Sequence, residues 1–227
     1  TLSLVVGMLA SVVIAAMVYA DQFNPPVAIA IVIVLNLLLW LVSPWITDLS
    51  LRWMNKMQFL DDAELAQRYP HIHRLIHEVA QEYRFKAPSI GVIDDRNPTA
   101  FTYGRGRGNA RIIVTAGIFE FLDENETRAV VAHELGHIVN RDFIVMTFAG
   151  ALVQILYQLY VGLTRNTSDS KNKLAWLGFV ALVFYWIGEY LLLYLSRTRE
   201  YMADSFAAAR TEPQHLASAL VKIAYGI

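Results

Sequence analysis

The chain has 227 residues, 56% of them hydrophobic, with a formal net charge of −1 and no cysteine. A mean hydropathy of +0.38 exceeds that of ordinary globular domains and points to a membrane protein. The lack of Cys excludes disulfides and thiolate metal ligands, and the near-neutral charge gives no basis for a nucleic-acid partner.

Residues 2–20 and 27–46 are apolar segments of about 20 residues each, long enough to cross a hydrocarbon core as helices. The polar turn DQFNPP joins them into a hairpin, since such a turn cannot sit in lipid. Segment 2–20 is too long for a signal-peptide core and lacks a basic flank, so it reads as an anchor; the missing initiator Met reads as trimming. A helix is expected over 70–84, carrying His73 and His77 four residues apart. Arg74 stands where a catalytic glutamate would be needed, and a cation there opposes metal binding, so this pair reads as a solvated face.

Short runs at 89–94, 99–103 and 111–115 carry β-branched or aromatic residues between Gly, Asn and Pro, and predict a small sheet. Gly104, Gly106 and Gly108 serve the hairpin between the last two; GRGRG has neither the Lys-Ser/Thr nor the helix of a phosphate-binding loop. Asp123 and Glu126 form a capping-box start for a helix over 123–140, which contains HELGH. On that helix His133 and His137 share one face and can grip a single metal ion. Glu134 beside them fits the zincin arrangement, in which the glutamate takes a proton from the attacking water.

A second apolar pair, 143–163 and 174–195, brackets the polar loop TRNTSDSKNK and returns the chain to the side where HELGH lies. There SRTREYMAD puts Glu200 and Asp204 four apart on a continuation of the last helix. At 1.5 Å per residue His137 and Glu200 both stand roughly 8 to 9 Å from the membrane ends of their helices, so the two can meet. A catalytic zinc needs three protein ligands and an open position, which makes Glu200 the third ligand. Asp204 then accepts the free ring N–H of a zinc histidine. Glu189, inside the last span, reads as pairing with Gln154 or Gln158. Arg52, Lys56, Arg128, Arg141, Arg197, Arg199 and Arg210 on the HELGH side, against Arg165, Lys171 and Lys173 on the other, place the site in the cytoplasm.

HELGH with Asn140, followed by SRTREYMAD after a transmembrane hairpin, resembles the membrane zinc metalloprotease family typified by HtpX and the CAAX prenyl protease. The resemblance implies Zn²⁺ held by His133, His137 and Glu200, Glu134 as general base, and Asp204 with Asn140 supporting the ligands. The stretch NPTAFTYG resembles the family's cleft strand, which implies substrate binding along Ala100 and Phe101. Thr99 departs from that pattern, where relatives usually carry Asn, and leaves backbone pairing as the means of contact.

The expected fold is a mainly α membrane protein with four transmembrane helices and a zincin-like catalytic domain bearing a small β-sheet. Its segments are an N-terminal hairpin (1–46), a catalytic portion (47–142), a second hairpin (143–195) and C-terminal helices with the third ligand (196–227). The chain ends at Ile227 inside a helical pattern where members of the resembled family usually continue. The expected function is a multi-pass cell-membrane endopeptidase facing the cytoplasm. As the resemblance implies, it would cleave misfolded or damaged membrane proteins, or their cytoplasmic loops, in quality control. A silent zinc scaffold and a small transporter with a chance HExxH are the rival readings.

Overall fold

The computed structural model describes residues 25–165 and 175–225. The expected span 2–20 and most of the polar loop before the last span lie outside the described residues. The chain divides into two compact units: the described residues up to Ser43 with Val145–Ser196, and Pro44–Ile144 with Arg197–Ile227.

The first unit draws on three long helices, α1 (Pro25–Asn55), α6 (Asp142–Arg165) and α7 (Ala175–Ala208). Each contains a stretch long and apolar enough to cross a membrane: Ile33–Asn55, Asp142–Thr164 and Trp176–Ala208. Only 6%, 11% and 11% of the most apolar windows are buried, so side chains such as Leu38, Phe148 and Phe184 face outward. In water such a surface would be unstable, whereas lipid tails match it. A Cβ on Gly188 would lie 3.0 Å from Val153, so this glycine lets α7 approach α6 closely. Glu189 finds the Tyr185 hydroxyl one turn earlier on its own helix.

The second unit holds a four-stranded sheet in the order β1-β2-β4-β3, with β1 (Gln58–Phe59), β2 (Ser89–Ile93), β3 (Ala100–Tyr103) and β4 (Arg111–Thr115). β2 and β4 are parallel, while β1 and β3 pair antiparallel at the two edges. β1 was not expected, because a two-residue strand has no alternation to read. A short 3₁₀ turn, Arg107–Asn109, joins β3 to β4, and Arg105 N–H is fixed by the Asn109 side chain at 2.9 Å. The end of α1 is tied to this sheet: Asp48 accepts from Tyr103 at 2.5 Å and pairs with Arg111 at 2.8 Å.

Helices α2 (Asp62–Arg68), α3 (Pro70–Glu82), α4 (Ala116–Phe121), α5 (Glu124–Val139) and α8 (Pro213–Tyr225) complete the unit. α3 begins on Pro70, whose missing N–H costs nothing in a first turn, and buries Ile72, Leu75, Ile76 and Val79 at helical spacing. These meet Ile112 and Val114 of β4 and Val131, Leu135 and Ile138 of α5 in one core. At about 25 cal/mol per Å² such burial is the main stabilising term of the unit.

Candidate active site

α5 starts with the expected capping box: Asp123 accepts from Asn125 and Glu126 N–H, and Glu126 reaches back to Asp123 N–H at 2.9 Å. This fixes the register of the helix, so that His133 and His137 stack one turn apart. The far end is closed as tightly. Arg107 donates to the Val139 carbonyl through Nε at 3.0 Å and through Nη2. Arg141 then takes a left-handed φ of 58°. That turn starts α6 with Asp142 in its first turn, next to His137.

Gly136 faces the C-terminal part of α7. A Cβ there would lie 2.9 Å from Ala203 Cα and 3.2 Å from Phe206 Cβ. The small residues at 136, 203 and 207 therefore let two helix backbones come together, with Ala203 and Ala207 fully buried. Glu200 and Asp204 ride on the α7 face that this approach presents to the histidines.

Four carboxylates and two imidazoles meet here. His133 Nε2 and His137 Nε2 lie 3.1 Å apart, and Glu200 Oε2 is 3.5 Å from the first and 3.8 Å from the second. The point equidistant from these three atoms is about 2.0 Å from each, within the range of Zn–N and Zn–O bonds. Two lone-pair nitrogens turned toward one another and a carboxylate oxygen suit a shared cation, so the donor set fits a zinc ion.

The outer ring nitrogens are also engaged. Asp204 Oδ1 lies 2.9 Å from His133 Nδ1, and Asp142 Oδ2 is 2.6 Å from His137 Nδ1. Asp142 is held in turn by Arg199 at 2.9 Å. Asp142 thus orients the His137 ring by a hydrogen bond, whereas Asp204 stands beside His133 Nδ1 without hydrogen-bond geometry. Asn140 ends α5 through its backbone N–H to Gly136 O, and its side-chain amide nitrogen is buried without a partner. Asp142 and Arg199 escaped the sequence reading. Asp142 falls at the apparent start of a membrane span, and nothing in spacing alone reveals the turn that folds it back under His137.

Glu134 is 7% exposed and stands beside both rings. Burial raises its carboxyl above the usual carboxylate value; the Thr102 hydroxyl and the two imidazoles pull it down, and Glu200 adds to the rise. For His137, burial disfavours the charged ring, yet Asp142, Glu134 and Glu200 outweigh it and raise the pKa. The pocket is electronegative, and a cation would be welcome in it.

Strand β3 packs against α5, with Ala100 on the main core and Thr102 at Glu134. Phe101 and Tyr103 alternate to the other face, where they cover Met57, Ile93 and Ile113. The Phe101 ring therefore points away from Glu134. Thr99 is bound through its backbone to Thr115, its N–H at 2.8 Å and its carbonyl at 2.9 Å. β3 is an edge strand, and its outer side carries no partner strand among the described residues.

Known proteins are similar to this chain. The protease HtpX homologue of Methanothermobacter thermautotrophicus is 36% identical over 185 residues, covering 81% of this chain and 67% of its own. That of Pyrococcus abyssi is 33% identical over 194 residues, with 81% and 65% covered. The chain spans about two thirds of the length of these relatives. The crystal structure of S. mikatae Ste24p superposes with a TM-score of 0.65 at 20% identity, covering 96% of this chain and 55% of that one. This likeness extends to the fold. The model for peptidase family M48 matches residues 66–225, the stretch in which His133, Glu134, His137 and Glu200 converge, and the chain belongs to that family.

Proposed function

We propose that the chain is the catalytic part of a zinc-dependent integral-membrane endopeptidase. The observation that carries this is the convergence of His133, His137 and Glu200 on one point, with the buried carboxylate of Glu134 beside it. Bound there, Zn²⁺ would polarise the scissile carbonyl and acidify water. Glu134 takes a proton from the attacking water as the C–O bond forms, and then delivers it to the amine nitrogen as the C–N bond breaks. Its desolvated setting makes it a stronger base than a surface glutamate. Asp142 holds the His137 imidazole in the tautomer that turns Nε2 inward, Asp204 lies 2.9 Å from His133 Nδ1 to accept its proton, and Asn140 closes the helix that carries them.

An extended peptide would add to the free edge of β3 along Ala100 and Phe101. Because the Phe101 ring is turned away, recognition there would run through the backbone and accept many sequences. Such tolerance suits removal of misfolded or damaged membrane proteins. The three apolar helices suit residence in the cell membrane, and the distribution of Arg and Lys favours a cytoplasmic site.

The test is Glu134→Gln. It should bind zinc as the wild type does and cleave an unfolded protein at least 10²-fold more slowly. Cleavage at the wild-type rate overturns the assignment. A silent scaffold would use a fourth protein ligand to close the site, and a transporter would bind no zinc.

A further inference from the structure

Apart from the HELGH site, one other group of His and carboxylate side chains among the described residues has donor atoms close enough to share a metal ion: Asp62, His73 and His77. Asp62 opens α2, and the two histidines sit one turn apart on α3. Asp62 Oδ1 lies 2.8 Å from His77 Nε2 and 3.3 Å from His73 Nε2. The two rings tilt by 41° with centroids 4.2 Å apart; His77 Nε2 hydrogen-bonds the Asp62 oxygen, while the buried His73 Nε2 lies near it without a hydrogen-bond partner.

The sequence alone argues against these histidines, because Arg74 stands where a glutamate base would be needed. The fold brings them a carboxylate from elsewhere in the chain. The tight turn at Tyr69 sets α2 against α3 and delivers Asp62 from fifteen residues away. Arg74 is exposed, so water screens its charge. His73 and His77 also border a shallow hollow with Ala66, Pro70, Arg74, Glu78 and Gln81, open to solvent and able to supply water ligands.

We propose that Asp62, His73 and His77 form a second, surface site for a divalent transition ion of the zinc class, tying α2 to α3. Two imidazoles with one carboxylate select Zn²⁺, Co²⁺ or Ni²⁺ over Mg²⁺ and Ca²⁺, which prefer oxygen donors. The N···O spacings of 2.8 and 3.3 Å match the separations expected between neighbouring ligands of one ion with bonds of about 2.0 to 2.2 Å. The site shares no residue with the HELGH centre, and the inference stands independently of the proposed protease activity.

The experiment is metal stoichiometry on the full chain in detergent, stripped with a chelator and then dialysed against buffered Zn²⁺. Wild type should hold two ions per chain, and His73→Gln with His77→Gln should hold one fewer. Asp62→Asn should weaken that same ion at least tenfold. His133→Gln with His137→Gln should leave the surface ion in place, which separates this site from the HELGH centre. All three surface positions are at least partly exposed, so helicity and thermal unfolding of the variants should match wild type. The same number of ions in wild type and in His73→Gln/His77→Gln would overturn the inference. A single ion in wild type that vanishes in that variant would uphold it while sinking the zinc assignment at HELGH.

Discussion

Glu126 shows how one buried charge serves the fold. It is 3% exposed, yet it caps α5, accepts from Ser218 at 2.6 Å and pairs with Lys222 at 2.7 Å, so it joins α5 to α8. Burial alone would raise its carboxyl, but Lys222, Ser218 and the Asp123 N–H outweigh burial and hold it below the usual carboxylate value. A depressed folded pKa stabilises the fold above the unfolded value, and the contribution is lost as pH falls through the lower folded value. Glu126→Gln should therefore cost about 1 to 3 kcal/mol at neutral pH. Its melting curve should converge on that of wild type as pH falls through the depressed folded value of Glu126. At the metal centre, Asp142→Asn or Asp204→Asn should lower zinc affinity 10 to 100-fold, measured by competition with a chelating dye. The convergence of His133, His137 and Glu200 was legible in the sequence because a helix repeats every three to four residues and HELGH and EYMAD obey that period. Asp142, Arg199 and Asp62 were not, since their partners depend on turns at Arg141 and Tyr69 and on helices brought together from distant parts of the chain.

At the scale of elements the controlling contact is α5 against α7. Gly136→Ala on an isolated helix would be favourable by about 1 kcal/mol. In this protein its Cβ would meet the Ala203 backbone at 2.9 Å, and overpacking of that kind costs about 1 to 3 kcal/mol. The variant should melt earlier and bind zinc more weakly, because α7 must move and Glu200 moves with it. Higher stability with unchanged zinc affinity would show that the helices do not need this close approach. Most elements followed from pattern: the capping box opened α5 where expected, and the strands differ from expectation by a residue. The helix through the last span runs on to Ala208 without a break, which is what brings Glu200 within reach. The end of α1 was less legible. It continues to Asn55, nine residues past the apolar run, because Asp48 pairs with Arg111 and Tyr103.

For the whole molecule, hydropathy marks three described helices as fit for a bilayer, while a core of α3, α5 and the sheet is built on the ordinary rules of water-soluble packing. The expected fourth span at 2–20 lies outside the described residues. Membership of peptidase family M48 rests on the matched stretch 66–225, and the chemistry rests on whether α7 returns a ligand to α5. The most direct test measures zinc content and proteolysis in the same preparations of wild type and Glu200→Ala, each carrying His73→Gln and His77→Gln so that the surface cluster contributes no ion. The account predicts one zinc and cleavage in the first, and neither in the second, with helicity preserved in both. A Glu200→Ala protein that keeps its zinc and cleaves at the unchanged rate would contradict it.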